Sequence, residues 1–177
     1  MNINTRIKVV ASLYIGQKEI IGNKGFENAV FEDKMESCGW DVGQAWCAYF
    51  TELVWKEAYE LYKPEVIPVL DKLFSAGAVK TFNNFNKSPK FQTSKNPAVG
   101  AVVIWQYYKN GKPHWSGHAG IVSESVVGLG NKFKTIEGNT NSQGGREGIE
   151  VAEKTRLLDF SPKTRGLVLK GFIYPQE

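Results

Sequence analysis

The spacing of apolar residues changes near Pro97, and this change limits the folds that the chain can adopt. Before Pro97, apolar residues recur at intervals of three and four, as they do along one face of an α-helix. After it, short runs rich in Val, Ile, Phe and Tyr are separated by Gly, Asn and Pro, a pattern typical of antiparallel strands. Helices followed by strands, without regular alternation, predict an α+β domain with N-terminal helices packed on one antiparallel sheet.

The same pattern predicts where these elements lie. We expect Thr5 to cap the first helix and Pro64 to end the helix that begins at Trp46. The long loop between the first two helices should contain one short helix. The predicted helices are 5–21, 46–61, 66–74 and 78–85, and the predicted strands are 101–108, 119–127, 132–137, 148–156 and 166–174.

Size and charge narrow the class of protein. A chain of 177 residues fits one domain over residues 1–177, and we expect a monomer. The net charge is +4, with Lys and Arg spread along the chain, so we do not expect nucleic acid as a partner. Mild basicity suits an anionic polymer such as a bacterial cell wall. We see no transmembrane segment and no signal peptide, so we expect a protein made in the cytoplasm, which another system must deliver if its substrate lies outside.

Cys47 is the first candidate catalytic residue. It stands where loop-like residues give way to a helical pattern, and a thiolate at a helix start is stabilised by the amide dipoles. Downstream, His118 precedes an apolar run, and Glu137 and Asn139 follow. A thiol, an imidazole and a group that orients the imidazole are the parts of a nucleophilic cysteine hydrolase.

The partner of His118 is left open by the sequence. Glu137 and Asn139 are two residues apart, and a strand would point both side chains to the same face. A hairpin between the strands of His118 and Glu137 would bring one of the two beside the imidazole. Either group accepts a hydrogen bond from a ring N–H.

These residues stand in three motifs, GQAWCA at 43–48, GHAGIV at 117–122 and IEGNTN at 136–141. Two apolar segments, 97–105 and 171–175, accompany them. Together they resemble the CHAP family of cysteine- and histidine-dependent amidohydrolases and peptidases, which is related to NlpC-type and papain-like enzymes. The resemblance covers roughly residues 38–175 and implies a papain-like catalytic domain.

The resemblance also implies a role for each motif residue. Cys47 would be the nucleophile, and His118 the general base and then the general acid. Glu137 would orient the imidazole, with Asn139 as a further polar residue of the site. The oxyanion would be held by the Cys47 backbone N–H and the Gln44 side chain.

The family acts on peptidoglycan, which implies the substrate. The cleaved bond would be either the amide from the sugar's lactyl group to the first alanine or a bond within the peptide stem or cross-bridge. An extended substrate needs an open groove, for which nearby aromatic residues are candidates when they are not core. Those candidates are Trp40, Trp46, Trp105 and Trp115.

Other groups are expected to be outside the chemistry. Cys38 is predicted to be a packed, reduced thiol, and His114 to lie in a turn at the rim rather than in a zinc site. Some relatives bind calcium ahead of the cysteine, but residues 36–43 offer few hard oxygen ligands, so we predict no metal and no cofactor. The segment 141–148 is expected to be a rim loop.

Two other functions fit the same residues. One is a papain-like cysteine hydrolase or deamidase that acts on a protein, with the same catalytic groups in a different groove. The other is a non-catalytic wall-binding or virion module that kept the fold. For the hydrolase, the setting would be a phage lysin or a delivered antibacterial effector, the latter with a possible immunity protein.

Overall fold

A computed structural model describes residues 1–127, 130–140 and 148–177. In these ranges the chain forms five α-helices and, after them, a six-stranded antiparallel sheet, so the expected α+β class is confirmed. A short 3-10 helix, Pro64–Val66, follows the third α-helix. The helices are α1 Ile3–Leu13, α2 Ala29–Ser37, α3 Cys47–Glu60, α4 Ile67–Leu73 and α5 Ala78–Lys87; the strands are β1 Thr93–Ser94, β2 Val102–Lys109, β3 Lys112–Val127, β4 Lys132–Thr140, β5 Glu150–Leu157 and β6 Gly166–Ile173.

The sheet has the order β1-β6-β2-β3-β4-β5, with every neighbouring pair antiparallel. Strands β3 and β4 are therefore adjacent, and β3 is one of the two central strands. Within β2 and β3, Trp105 lies opposite His118. Within β3 and β4, Ile121 lies opposite Ile136.

The two faces of the sheet have separate apolar clusters. Because strand side chains alternate, Ile104, Ile121 and Ile136 face the helices and join one large core with α3. The opposite face has a smaller cluster that contains Trp105 and Phe133. We call this second side the open face of the sheet.

The first helix is shorter than predicted. Its cap is Asn2, whose Oδ1 accepts a hydrogen bond from the Thr5 N–H at 3.0 Å, and it ends at Leu13. Gly16, at φ 91°, then turns the chain in a conformation that disfavours other residues. The backbone beyond this turn bonds to the sheet side of the molecule, with Glu19 N–H to the Ile149 carbonyl at 2.7 Å. The apolar residues that extended the predicted helix belong to this segment.

The third strand is longer than predicted. It begins at Lys112, and Pro113 lies opposite Tyr108 in the ladder, so the expected turn around His114 is wrong. The short strand β1 has no counterpart in the prediction, because two residues produce no periodic pattern. Along the described ranges, none of the helices has both the length and the apolar character needed to cross a bilayer.

Candidate active site

Cys47 is the first residue of α3, one residue after the predicted start at Trp46. The preceding residue, Trp46, caps the helix without a side-chain hydrogen bond, and the first turn has no acidic residue. The partial positive charge of the helix N-terminus is therefore available to the sulfur. The sulfur also accepts hydrogen bonds from the backbone N–H groups of Ala48 and Ala119.

The Cys47 side chain reaches β3 where β3 and β4 separate. The paired residues of these strands run up to Ile121 and Ile136, and Ala119 lies beyond the last pair. The Ala119 N–H is therefore free to bond to the Cys47 sulfur. The start of α3 fills the same gap from the helix side and touches β4 at Gly138.

His118 lies between the thiol and a carboxylate. Its Nε2 is 2.8 Å from Glu137 Oε2, and its ring is hydrogen bonded to the Cys47 side chain. Because Glu137 occupies Nε2, the nitrogen that faces the sulfur is Nδ1. The Trp105 ring lies beside the imidazole, with centroids 5.7 Å apart at an angle of 31°.

Glu137 is fully buried and is held on all sides. Thr135 Oγ1 donates to its Oε1 at 2.5 Å, and Arg156 donates from Nε to Oε1 at 2.7 Å and from Nη2 to Oε2. A bidentate guanidinium pair fixes both the position and the charge of a carboxylate. Gly120 leaves the space that the side chain needs, since a Cβ there would lie 2.6 Å from Glu137 Cγ.

These contacts shift the pKa values of all three groups toward an ion pair. Burial opposes ionisation of Cys47, but the hydrogen bond and charge of His118 outweigh it and lower the thiol pKa. Burial likewise opposes the imidazolium, but Cys47 and Glu137 raise the His118 pKa. Burial would raise the Glu137 pKa, but Arg156 and His118 hold it well below its usual range. The site therefore favours a thiolate, an imidazolium and a carboxylate.

Glu137, rather than Asn139, is the partner of the imidazole. In the part of the chain that the structure describes, the ring bonds to Glu137 and Cys47, and none of its bonds goes to Asn139. Asn139 has a φ of 53°, and the pairing of β4 with β5 shifts between Glu137 and Thr140. The regular alternation is interrupted there, and that both side chains share one face stays a prediction. Asn139 is nevertheless buried, at the end of the same strand.

Gln44 lies in the turn before α3 and is half-buried. Its Oε1 accepts a hydrogen bond from the Tyr49 hydroxyl at 2.6 Å, and its carbonyl accepts one from Trp40 Nε1 at 2.9 Å. The first bond uses the acceptor of the amide group and leaves its Nε2 donor for another partner. Tyr49 belongs to the first turn of α3, so this bond ties Gln44 to the helix that begins with Cys47.

The four tryptophans predicted for a substrate groove have different positions. Trp40 and Trp46 are 1% and 0% exposed and pack on Phe26 in the core, so that prediction was wrong for both. Both residues are close to the cysteine motif in the sequence because the loop before α3 packs their rings into the core. Trp115 is 78% exposed, and its part in a groove stays a prediction.

Trp105 does line a cavity beside the site. This cavity, of about 460 Å³, is also lined by His118 and Arg156 and lies over the open face of the sheet. The Arg156 guanidinium stacks on the Trp105 ring, with Cζ 5.2 Å from its centroid.

Cys38 differs from Cys47 in its surroundings. Burial and the Glu52 carboxylate raise the pKa of Cys38 to about 11. Both thiols are free. Within the described ranges, no three His, Cys, Asp or Glu side chains are grouped closely enough to hold a metal ion. The rim loop expected at 141–148 lies, apart from Gly148, outside the described residues.

Sequence reasoning missed Arg156. It lies in β5, opposite Phe133 of β4, and its long side chain runs along the sheet to Glu137. No motif surrounds it in the sequence. The one available signal was its position as a cation at the end of the predicted strand 148–156.

Fold and site together define an α+β protein in which a thiol, an imidazole and a carboxylate are hydrogen bonded in series. The CHAP domain model matches residues 39–139, more than half of the 177 residues, and the protein belongs to the CHAP family. CHAP domains are generally hydrolases, with amidase or peptidase activity directed at peptidoglycan. Comparisons with curated proteins and with solved structures gave no match.

Proposed function

We propose that the protein is a cysteine amidohydrolase or peptidase that cleaves an amide bond of peptidoglycan. The bond is either the N-acetylmuramoyl-L-alanine linkage or a bond within the peptide stem or cross-bridge. The observation that carries this proposal is the hydrogen-bonded series from Cys47 through His118 to Glu137 at the start of α3. The helices and sheet around it are interpreted as a papain-like fold.

The first half of the reaction is acyl transfer to sulfur. The Cys47 thiolate attacks the carbonyl carbon of the amide and forms a tetrahedral intermediate. The His118 imidazolium then gives its Nδ1 proton to the leaving nitrogen, the C–N bond breaks, and a thioester remains on Cys47. Glu137 stabilises the imidazolium and fixes the ring so that Nδ1 faces the sulfur.

The second half returns the enzyme to its starting state. Neutral His118 takes a proton from a water molecule, and the hydroxide attacks the thioester carbonyl. The C–S bond breaks, which releases the carboxylic acid and restores the Cys47 thiolate beside the imidazolium. The proton that His118 takes from water in the second half is the one that it gives to the leaving nitrogen in the next cycle.

The oxyanion of both intermediates needs hydrogen-bond donors. Cys47 is the first residue of α3, so its backbone N–H has no acceptor within the helix. Gln44 offers its side-chain N–H from the preceding turn, with its amide orientation supported by the Tyr49 hydroxyl. A backbone N–H and a side-chain amide N–H are donors of the kind that stabilises such an intermediate.

The test is hydrolysis of purified peptidoglycan by the wild type and by Cys47→Ala. We expect the wild type to clear cell walls in a zymogram and to release new amine and carboxyl ends, identified by mass spectrometry. Cys47→Ala should lose activity by about 10⁴-fold or more, because no other group replaces the nucleophile. Cys38→Ala is the matched control and should remain active. Equal clearing by the wild type and Cys47→Ala would reject the mechanism.

Mass spectrometry also distinguishes an amidase from an endopeptidase. A free muramic lactyl carboxylate identifies an amidase, and a cut between amino acids identifies an endopeptidase. Delivery to the wall, an immunity partner and a monomeric state stay predictions from the sequence.

A further inference from the structure

The cavity beside His118 is lined by apolar and charged side chains that have no role in the proposed reaction steps. Trp105, Leu167 and Leu169 supply apolar surface on the open face of the sheet. Arg156 and Lys163 supply positive charge. A site of this kind, apolar with a few charged groups that point to one space, is typical of a binding pocket.

The guanidinium of Arg156 has donors to spare. Its Nε and Nη2 bind the two oxygens of Glu137, which takes two of five N–H groups. Among the described residues, these bonds leave three N–H groups on the side away from Glu137. The guanidinium Cζ lies over the Trp105 ring at the cavity wall.

Lys163 provides a second cation at the same cavity. Its Nζ donates to the Leu167 carbonyl at 3.1 Å, and two of its three N–H donors remain. Among the described lining residues, Asp159 is the one carboxylate, and its Oδ1 accepts the Ser161 N–H at 2.9 Å. Because Glu137 already balances the charge of Arg156, the cavity offers the spare N–H donors of the two cations rather than an excess of positive charge.

We propose that this cavity is a subsite for a carboxylate of the peptide stem, next to the amide that is cut. The proposal rests on the proposed function, since it names a substrate group that the same site binds. Arg156 and Lys163 bind the carboxylate, and Trp105 with the two leucines contacts the aliphatic part of the amino acid. A carboxylate accepts charge-assisted hydrogen bonds from the spare donors of both cations, whereas a cationic group accepts none.

The experiment uses two muropeptides of the same sequence. In one, every stem carboxylate is free, and in the other every one is a carboxamide. The measured quantity is the ratio of kcat/KM for the acid to kcat/KM for the amide, followed by chromatography and mass spectrometry. We expect the wild type to prefer the acid by about fivefold or more, mainly through KM, because the contact forms on binding.

The variants change Lys163, which is exposed, rather than Arg156, which also holds Glu137. Lys163→Met should lower the ratio by about two- to fivefold, as expected for a partly exposed ion pair. Lys163→Arg should restore it, and Lys163→Glu should lower it further. Lys72→Met is the matched control, because it removes the same charge from an exposed position in α4.

Each result decides the question. A ratio of one in the wild type, or a ratio that Lys163→Met leaves unchanged, overturns the subsite while the hydrolase function stands. An equal fall in Lys72→Met also overturns it, because the effect is then one of net charge. If the wild type cuts neither muropeptide nor whole peptidoglycan, the proposed function itself has failed. Thermal melting of each variant separates these results from loss of folding.

Discussion

Glu137 is a carboxylate with no exposure to solvent, and its partners explain why it stays ionised. Arg156 neutralises it from one side, Thr135 bonds to the same oxygen as the guanidinium Nε, and His118 takes the other oxygen. Removal of one member would leave a charge buried without its partner, which is costly in a protein interior. The carboxylate therefore sets both the orientation and the charge of the imidazole.

The pH dependence of activity should report this arrangement. In the proposed mechanism, activity requires the Cys47 thiolate, whose pKa is lowered, and the His118 imidazolium, whose pKa is raised. The acid limb should thus lie below the usual thiol value of about 8.5, and the alkaline limb above the usual histidine value of about 6.5. Glu137→Gln removes one cause of the raised His118 pKa, so the alkaline limb should move toward lower pH.

We expect kcat/KM of Glu137→Gln to fall by nearly tenfold at pH values above the His118 pKa of about 9, because there a fall of one pKa unit lowers the imidazolium population almost tenfold. The measurement is kcat/KM against pH on a soluble muropeptide. Glu153→Gln is the control, because Glu153 is an exposed residue of β5 that bonds to Ser123. An alkaline limb that stays in place in Glu137→Gln would contradict the role given to Glu137.

The contact of α3 with β4 positions Cys47 at the start of the helix. At Gly138, a Cβ would lie 2.5 Å from the Trp46 ring and 2.8 Å from Phe50 Cβ. The helix can approach the strand this closely only because the side chain is a hydrogen atom. Trp46 is also held from behind, because its Nε1 donates to the buried Glu19 carboxylate.

Gly138→Ala should force α3 away from β4. We expect a loss of about 1–3 kcal/mol in the free energy of unfolding, as for other overpacked sites. Activity at a temperature where the variant is folded should fall as well, because Cys47 follows Trp46 directly. Gly77→Ala is the control, since a Cβ there meets its nearest neighbour at 3.7 Å. Equal urea midpoints for Gly138→Ala and the wild type would show that the contact is not tight.

At the scale of the whole molecule, local patterns predicted the elements better than their ends. The change of period at Pro97 predicted helices and then strands, and α3 begins one residue from its expected start. The first helix was overextended because apolar residues continue past Gly16, where the backbone turns into contact with β5. The early part of β3 was missed because Pro113 and Gly117 suggested a turn.

Local sequence patterns also predicted only part of the candidate site. Cys47, His118 and Glu137 were found because each stands in a short motif, and the structure places them in one hydrogen-bonded series. Arg156 was missed because its role depends on the register of β5 against β4, which no local pattern encodes. Trp46 was assigned to a groove because sequence proximity does not tell a core aromatic residue from an exposed one.

The central claim is that His118 keeps Cys47 as a thiolate. The most direct test is the rate of alkylation of the two cysteines by iodoacetamide near neutral pH, resolved by mass spectrometry. Cys47 should react on the order of 100-fold faster than Cys38, whose pKa is raised to about 11, and His118→Gln should slow Cys47. A Cys47 rate at or below that of Cys38, or one that His118→Gln leaves unchanged, would contradict the claim.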